Sequence, residues 1–259
     1  MILIPYLGSR ALMKPRILPL LLRLAAGMNE YREPFVGGGS VGLAMMSRRP
    51  DLTYWLNDRD YSVAGLWWSV RYHPEEIIER VRTTIPTVAL FLEYKKYLDG
   101  VVRLPPMREE LIEVGFRRLA IQYWSGRSWG GGMRGGLEQT SQENIDSRWS
   151  LQGIARKIHI VHQRLERQNA KITAYDFSRL IEDTERRAIL FLDPPFFDYA
   201  SNYTYTMTLE QHQQLADLLA TTEHRWVLTV GDHPEMRRLY QWAQRDHIGF
   251  NNLLIYPHV

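Results

Sequence analysis

Ile189-Leu190-Phe191-Leu192-Asp193-Pro194-Pro195-Phe196 is the stretch on which the reading of this chain turns. The apolar run reads as a buried strand. It ends in an acid, two prolines and an aromatic. Proline cannot donate to a strand ladder, so the chain must leave the sheet there. What results is a rigid corner at a strand's carboxyl end, holding a carboxylate beside a ring. In open α/β sheets ligands bind at that end of the strands. A carboxylate or backbone carbonyl there can accept hydrogen bonds from an exocyclic amine while the ring stacks on a base.

Working outward from this corner, strand and helix patterns alternate at both ends of the chain. Pro15 to Leu24 reads as a helix with Ile17, Leu20, Leu21 and Leu24 on one face. Thr53 to Leu56, Lys171 to Ala174, Ala188 to Leu192 and Trp226 to Val230 read as strands. Thr208 with Gln211 is a capping-box pattern. Between about Tyr72 and Gln168 the alternation gives way to helical pieces punctuated by Pro86, Pro105 and Pro106, with a basic amphipathic helix over Arg156 to Arg167. Ser125 to Gly136 carries six glycines, two arginines and Trp129, a composition for a loop rather than a core. The pattern predicts an α/β domain, residues 1–71 and 166–259, interrupted by a mainly helical insertion over 72–165.

Composition narrows the class. The chain has 259 residues, no cysteine and a formal net charge of +3. The absence of cysteine excludes disulfides, thiolate metal sites and cysteine nucleophiles. The small basic excess suits a nucleic-acid partner. No run of apolar residues is long enough to span a bilayer, and the N-terminus lacks a signal-peptide pattern. The histidines show no metal-ligand spacing, so no metal is expected.

Gly37, Gly39 and Gly42 fit G-x-G-x-x-G, and Asp58 follows Gly37 by 21 residues at the end of the next predicted strand. Glycines let the backbone turn tightly and approach a ligand, and an acid at that position can accept from ribose hydroxyls. The pair suggests an adenosine-containing cofactor, without choosing between a nicotinamide dinucleotide and S-adenosylmethionine. The strand before the loop is unusual, because Tyr31-Arg32-Glu33-Pro34 is not apolar. Glu33 there suits a cationic ligand, or a surface ion pair. Asp176-Phe177 closes the third predicted strand. It suits an adenine amine and ring face, or a helix N-cap beside a core phenylalanine, the commoner reading of such a pair taken alone.

Taken together these segments resemble the Dam-like DNA adenine N6-methyltransferases of the alpha order. The resemblance rests on Tyr6-Leu7-Gly8-Ser9-Arg10, Tyr31 to Val41, Asn57-Asp58-Arg59-Asp60, Asp176-Phe177, Asp193-Pro194-Pro195-Phe196 and Asn202-Tyr203-Thr204, in that order. Arg10 stands where the family usually has Lys, and Phe196 where it usually has Tyr. The resemblance implies a Rossmann-like S-adenosylmethionine-dependent fold with an inserted target-recognition subdomain. It also implies methyl transfer to an adenine flipped out of double-stranded DNA. Asp193, Pro194, Pro195 and Phe196 would be catalytic. Tyr6, Gly8, Arg10, Glu33, Phe35, Gly37, Gly39, Asp58, Asp176 and Phe177 would hold the cofactor, and Arg127, Trp129 and Arg134 would reach the DNA. A cytoplasmic monomer or weak dimer, in a bacterium or a phage-infected host, is expected. Two other readings fit parts of the pattern: a catalytically silent DNA-binding relative, motivated by Phe196, and a nicotinamide-dependent oxidoreductase, which leaves the proline corner unexplained.

Overall fold

In a computed structural model of the chain, the described residues are 3–4, 13–126, 132–197, 206–248 and 252–257. The elements run α1 (Lys14–Leu24), β1 (Glu30–Glu33), α2 (Gly42–Arg48), β2 (Thr53–Asn57), α3 (Tyr61–Tyr72), α4 (Pro74–Thr83), α5 (Val88–Asp99), α6 (Arg108–Trp124) and α7 (Leu151–Arg167). They continue with β3 (Lys171–Thr173), α8 (Phe177–Glu182), β4 (Ala188–Leu192), α9 (Leu209–Thr221), β5 (Arg225–Gly231), α10 (Pro234–Leu239), β6 (Gln244–His247) and β7 (Asn252–Tyr256). They divide into two compact units, one of Met1–Ser9, Gly37–Gly39 and Asp60–Arg167, the other of Arg10–Val36, Ser40–Arg59 and Gln168–Val259.

The second unit holds a seven-stranded sheet of order β3-β2-β1-β4-β5-β7-β6. β1 to β5 pair in parallel; β7 runs antiparallel to both β5 and β6. The chain winds outward from β1 to β3, then returns to place β4 on the other flank of β1. That reversal is the topological switch point at which α/β sheets bind ligands. One face of the sheet is apolar, with Leu190, Leu192, Leu228, Val230, Leu253 and Ile255 packed against Phe177, Leu215, Leu219 and Met236 from α8, α9 and α10. The arrangement is the Rossmann-like fold of S-adenosylmethionine-dependent methyltransferases.

β1 explains its own odd composition. All four residues, Glu-Tyr-Arg-Glu, are buried in the middle of the sheet. Burying charge is costly unless each group is paired. Arg32 donates from Nε to Glu30 (2.8 Å) and from Nη2 to Asp183 (3.1 Å). Its Nη1 donates to the backbone carbonyls of Leu180 and Asp183, both at 2.6 Å. The guanidinium also lies 5.3 Å from the Trp55 ring centroid. Arg32 therefore ties β1 to the segment between α8 and β4. Arg32→Ala would remove the Arg32 donor from the Leu180 carbonyl and leave Glu30 with Arg186 at 4.0 Å. We expect a loss of about 3–5 kcal/mol in urea unfolding, and a loss under 1 kcal/mol would contradict this account.

The first unit is helical. Gly115 of α6 lies against α3, where an added Cβ would fall 2.8 Å from the Gly65 carbonyl and 2.5 Å from Ser69 Oγ. Tyr94, Phe116, Tyr123, Trp124 and Trp149 form an aromatic cluster between α5, α6 and the segment before α7. The chain's tryptophans thus serve packing here, the commoner use of large rings. α7 begins five residues before the predicted start and buries Ile154, Ile158, Val161 and Leu165. Among the described residues no helix is long and apolar enough to cross a membrane.

Candidate functional site

Strand register puts Glu33, Leu56, Ile189, Phe191, Val227 and Thr229 on the sheet face opposite the apolar core described above. Strand alternation carries that face on to Asp58, Asp193 and Gly231 at or just beyond the carboxyl ends of β2, β4 and β5. Three acids from three neighbouring strands thereby converge at the switch point.

Glu33 is the innermost of them, at 2 % exposure. Its Oε2 accepts from the Tyr31 hydroxyl at 2.9 Å, and the Gly42 amide also bonds the carboxyl. Burial pushes Glu33 up to about 8; Asp193 and Asp58 push the same way, against the lowering effect of the Tyr31 and Gly42 bonds. Gly42 is glycine for a spatial reason, since a Cβ there would lie 2.3 Å from Glu33 Oε2.

Asn57, at the end of β2, gathers the loops on either side. Its Nδ2 donates to the carbonyls of Pro34 (2.9 Å) and Tyr175 (3.0 Å). Its Oδ1 accepts from Thr173 Oγ1 (2.6 Å) and the Tyr175 amide (2.7 Å). The Val36 amide donates to the Asn57 carbonyl (2.8 Å). Asn57 thus joins the segments after β1, β2 and β3, and so sets where Asp58 projects. Sequence reasoning assigned a role to Asp58 and none to its neighbour. The signal was a buried-type amide at a strand end, which has to satisfy all its hydrogen bonds.

The proline corner leaves the sheet as expected. Asp193 Oδ1 accepts from Thr229 Oγ1 of β5 at 2.5 Å. The Phe196 ring packs on Gly231, where an added Cβ would sit 3.7 Å from its Cγ and Cδ2. Below, His212 of α9 is almost wholly buried, and among the described residues neither ring nitrogen makes a hydrogen bond of ordinary geometry. Burial holds its imidazole down at about 4, and the nearby Pro195 backbone offsets this only in part. Phe197 continues the corner, with its centroid 5.3 Å from the His233 ring.

The glycine turn belongs to the helical unit. Gly37 and Gly39 have φ of 45° and 61°, the left-handed region that favours glycine. Trp67 of α3 supports the turn. Its Nε1 donates to the Gly37 carbonyl at 2.9 Å, and a Cβ on Gly39 would fall 2.4 Å from the indole ring. Gly39→Ala combines a disfavoured backbone conformation with a clash. The expected loss is about 2–4 kcal/mol in urea unfolding, and an unchanged midpoint would show that the turn moves freely. Trp67 carries no sequence signature for this role.

Other expected residues fall as follows. Phe35 packs on Phe177 at 5.7 Å between centroids. Phe177 is part of the apolar core, and Asp176 caps α8 by accepting from the Ser178 amide at 3.1 Å. The geometry of this pair is that of the N-cap and core alternative. Arg134, expected to reach DNA, is instead 3 % exposed. It pairs with Glu143 and donates to the carbonyls of Ser125 and Gly126. A guanidinium so engaged braces its own loop rather than facing a phosphate or base. Tyr6, Gly8, Arg10, Arg127 and Trp129 lie outside the described residues.

The sequence matches the family described as D12 class N6 adenine-specific DNA methyltransferase over residues 6–121 and 138–249. No curated protein matches the chain. The match spans both compact units and takes in the glycine turn, Asn57-Asp58, Asp176-Phe177 and the Asp193 corner, so the protein belongs to the D12 class of N6 adenine-specific DNA methyltransferases.

Proposed function

We propose that the methyl donor is S-adenosylmethionine and that Asp193 is the acceptor that orients the target amine. One observation carries the reading: Glu33, Asp58 and Asp193 converge at the carboxyl ends of three adjacent strands, where the two aspartates disfavour ionisation of the buried Glu33 and a cation would favour it. The donor bears such a cation, a sulfonium, and when bound it supplies an electrophilic methyl group. A nicotinamide dinucleotide carries an anionic pyrophosphate that acids at this site disfavour, and it leaves the proline corner without a task.

The resemblance supports the residue roles. Gly37 and Gly39 bring backbone close to the cofactor, and Phe35 is a further cofactor residue. Asp58 accepts from the ribose, and the resemblance gives Asp176 and Phe177 a place beside the adenine in addition to their cap and core roles. Tyr6, Gly8 and Arg10 complete the pocket on the strength of the resemblance. The target adenine must leave the duplex to be reached. Asp193 and the Pro194 carbonyl then accept from N6-H and orient the nitrogen lone pair. The Asp193 carboxylate also offsets positive charge that grows on N6 during transfer. Stacking on Phe196 needs only a ring face and contributes about 1–3 kcal/mol, so the absence of a tyrosine hydroxyl is compatible with activity. Residues 72–165 serve as the target-recognition region, interrupting a catalytic domain of 1–71 and 166–259. The order of glycine motif, insertion and catalytic corner supports the alpha arrangement. Duplex DNA as substrate and a cytoplasmic setting accompany this reading.

The test is direct. The purified protein is incubated with unmethylated DNA and S-adenosylmethionine labelled in the methyl group, and the DNA is then read by single-molecule sequencing. N6-methyladenine at one recurring site supports the proposal. Label in cytosine, or in protein alone, would sink it.

A further inference from the structure

A carboxylate at the end of a strand still rotates about two side-chain bonds, so a productive direction has to be imposed on Asp193. Thr229 is placed to impose it. It lies on β5, one residue beyond Leu228, the register partner of Leu192. It is wholly buried. Its hydroxyl is 2.5 Å from Asp193 Oδ1 and 3.4 Å from the Leu192 carbonyl. A hydroxyl has one hydrogen to give, and at these distances the carboxylate takes it. A β-branched side chain on a strand is stiff at its first torsion, so the donor itself is held. Two residues on, and on the same face, Gly231 seats Phe196.

From this geometry we infer that Thr229 is a positioning residue for methyl transfer. By holding Oδ1 it fixes the plane of the Asp193 carboxylate, and so the direction in which Oδ2 meets the target amine. Asp193 touches the substrate and Thr229 acts only through it. The inference rests on the reading of Asp193 given above. It assigns to β5 a share of the chemistry that the Asp-Pro-Pro-Phe segment does not contain in its own sequence.

The experiment compares wild type with Thr229→Val, Thr229→Ala and Thr229→Ser, using full-length protein and a duplex carrying the site found by sequencing. Single-turnover rate, KM for DNA and S-adenosylmethionine, and melting temperature are measured for each. Valine and alanine lack the hydroxyl and are expected to lower the rate about 10–100-fold, with either KM changed less than about threefold. Serine restores the donor and is expected to stay within about threefold of wild type. The inference is overturned if valine and alanine keep the wild-type rate, if serine is as slow as they are, or if the loss lies in KM. Should wild type itself leave adenine unmethylated, the functional reading falls and this inference with it. A wild type that methylates while both hydroxyl-free variants keep pace overturns the positioning role alone.

Discussion

Asp193→Ala is expected to lower the single-turnover rate of methyl transfer about 10²–10³-fold, the scale for removing one preorganised group that meets developing charge. The loss should appear in kcat, because positive charge on the target nitrogen grows only as the methyl group arrives. DNA affinity should change little, since the corner's ring is seated on Gly231 rather than on the acid. Asp193→Asn keeps an acceptor oxygen but gives up the charge, and should fall between alanine and wild type. The alanine variant has a second readout. Asp193 is one of the charges that raise Glu33, so its removal should bring Glu33 down and shift the pH range over which that residue titrates. An alanine variant at wild-type rate would remove Asp193 from the chemistry altogether.

What the sequence reveals and what it hides divide along a physical line. β2, β4, β5, α1 and α7 were legible because their apolar residues recur at the period of the element, and Thr208 with Gln211 because a capping box is local. The corner and the glycine turn were legible because proline and glycine constrain backbone wherever they occur. β1 was not readable as a central strand. Its charges are satisfied by Asp183 and by carbonyls that lie about 150 positions away in sequence, and local pattern cannot count such partners. β6, Gln-Arg-Asp-His, is a largely exposed strand that takes its ladder from β7 alone, so it carries no apolar signal. Arg134 misled because an arginine in a glycine-rich loop looks available until Glu143 is seen beside it. Thr229 and Trp67 work through tertiary contacts, and nothing in their immediate sequence announces them.

Glu33→Gln should separate the two consequences of crowding acids at the switch point. Wild-type Glu33 titrates at about 8 in the folded protein, against an ordinary value of 4.5. Between those pH values the folded protein holds a proton that the unfolded chain has released. The stabilisation from that proton is fully present below 4.5 and is lost as pH rises through about 8. Linkage makes the loss at most about 5 kcal/mol. Glutamine resembles the neutral acid in shape and does not titrate. In urea unfolding, wild type should therefore lose several kcal/mol more than the variant between pH 5.5 and 8.5. Parallel declines would show that Glu33 does not titrate in this range. A cationic cofactor reverses the preference, because it favours the ionised carboxylate. Below pH 8 its binding must then expel the proton. Wild-type affinity for S-adenosylmethionine should climb with pH by up to about tenfold per pH unit until it levels near 8, while Glu33→Gln binds more weakly at pH 8 and independently of pH. Calorimetry at pH 7 in two buffers of different ionisation heat should detect proton release from wild type and none from the variant. Wild-type affinity that stays flat from pH 6 to 8 would place the cation away from Glu33.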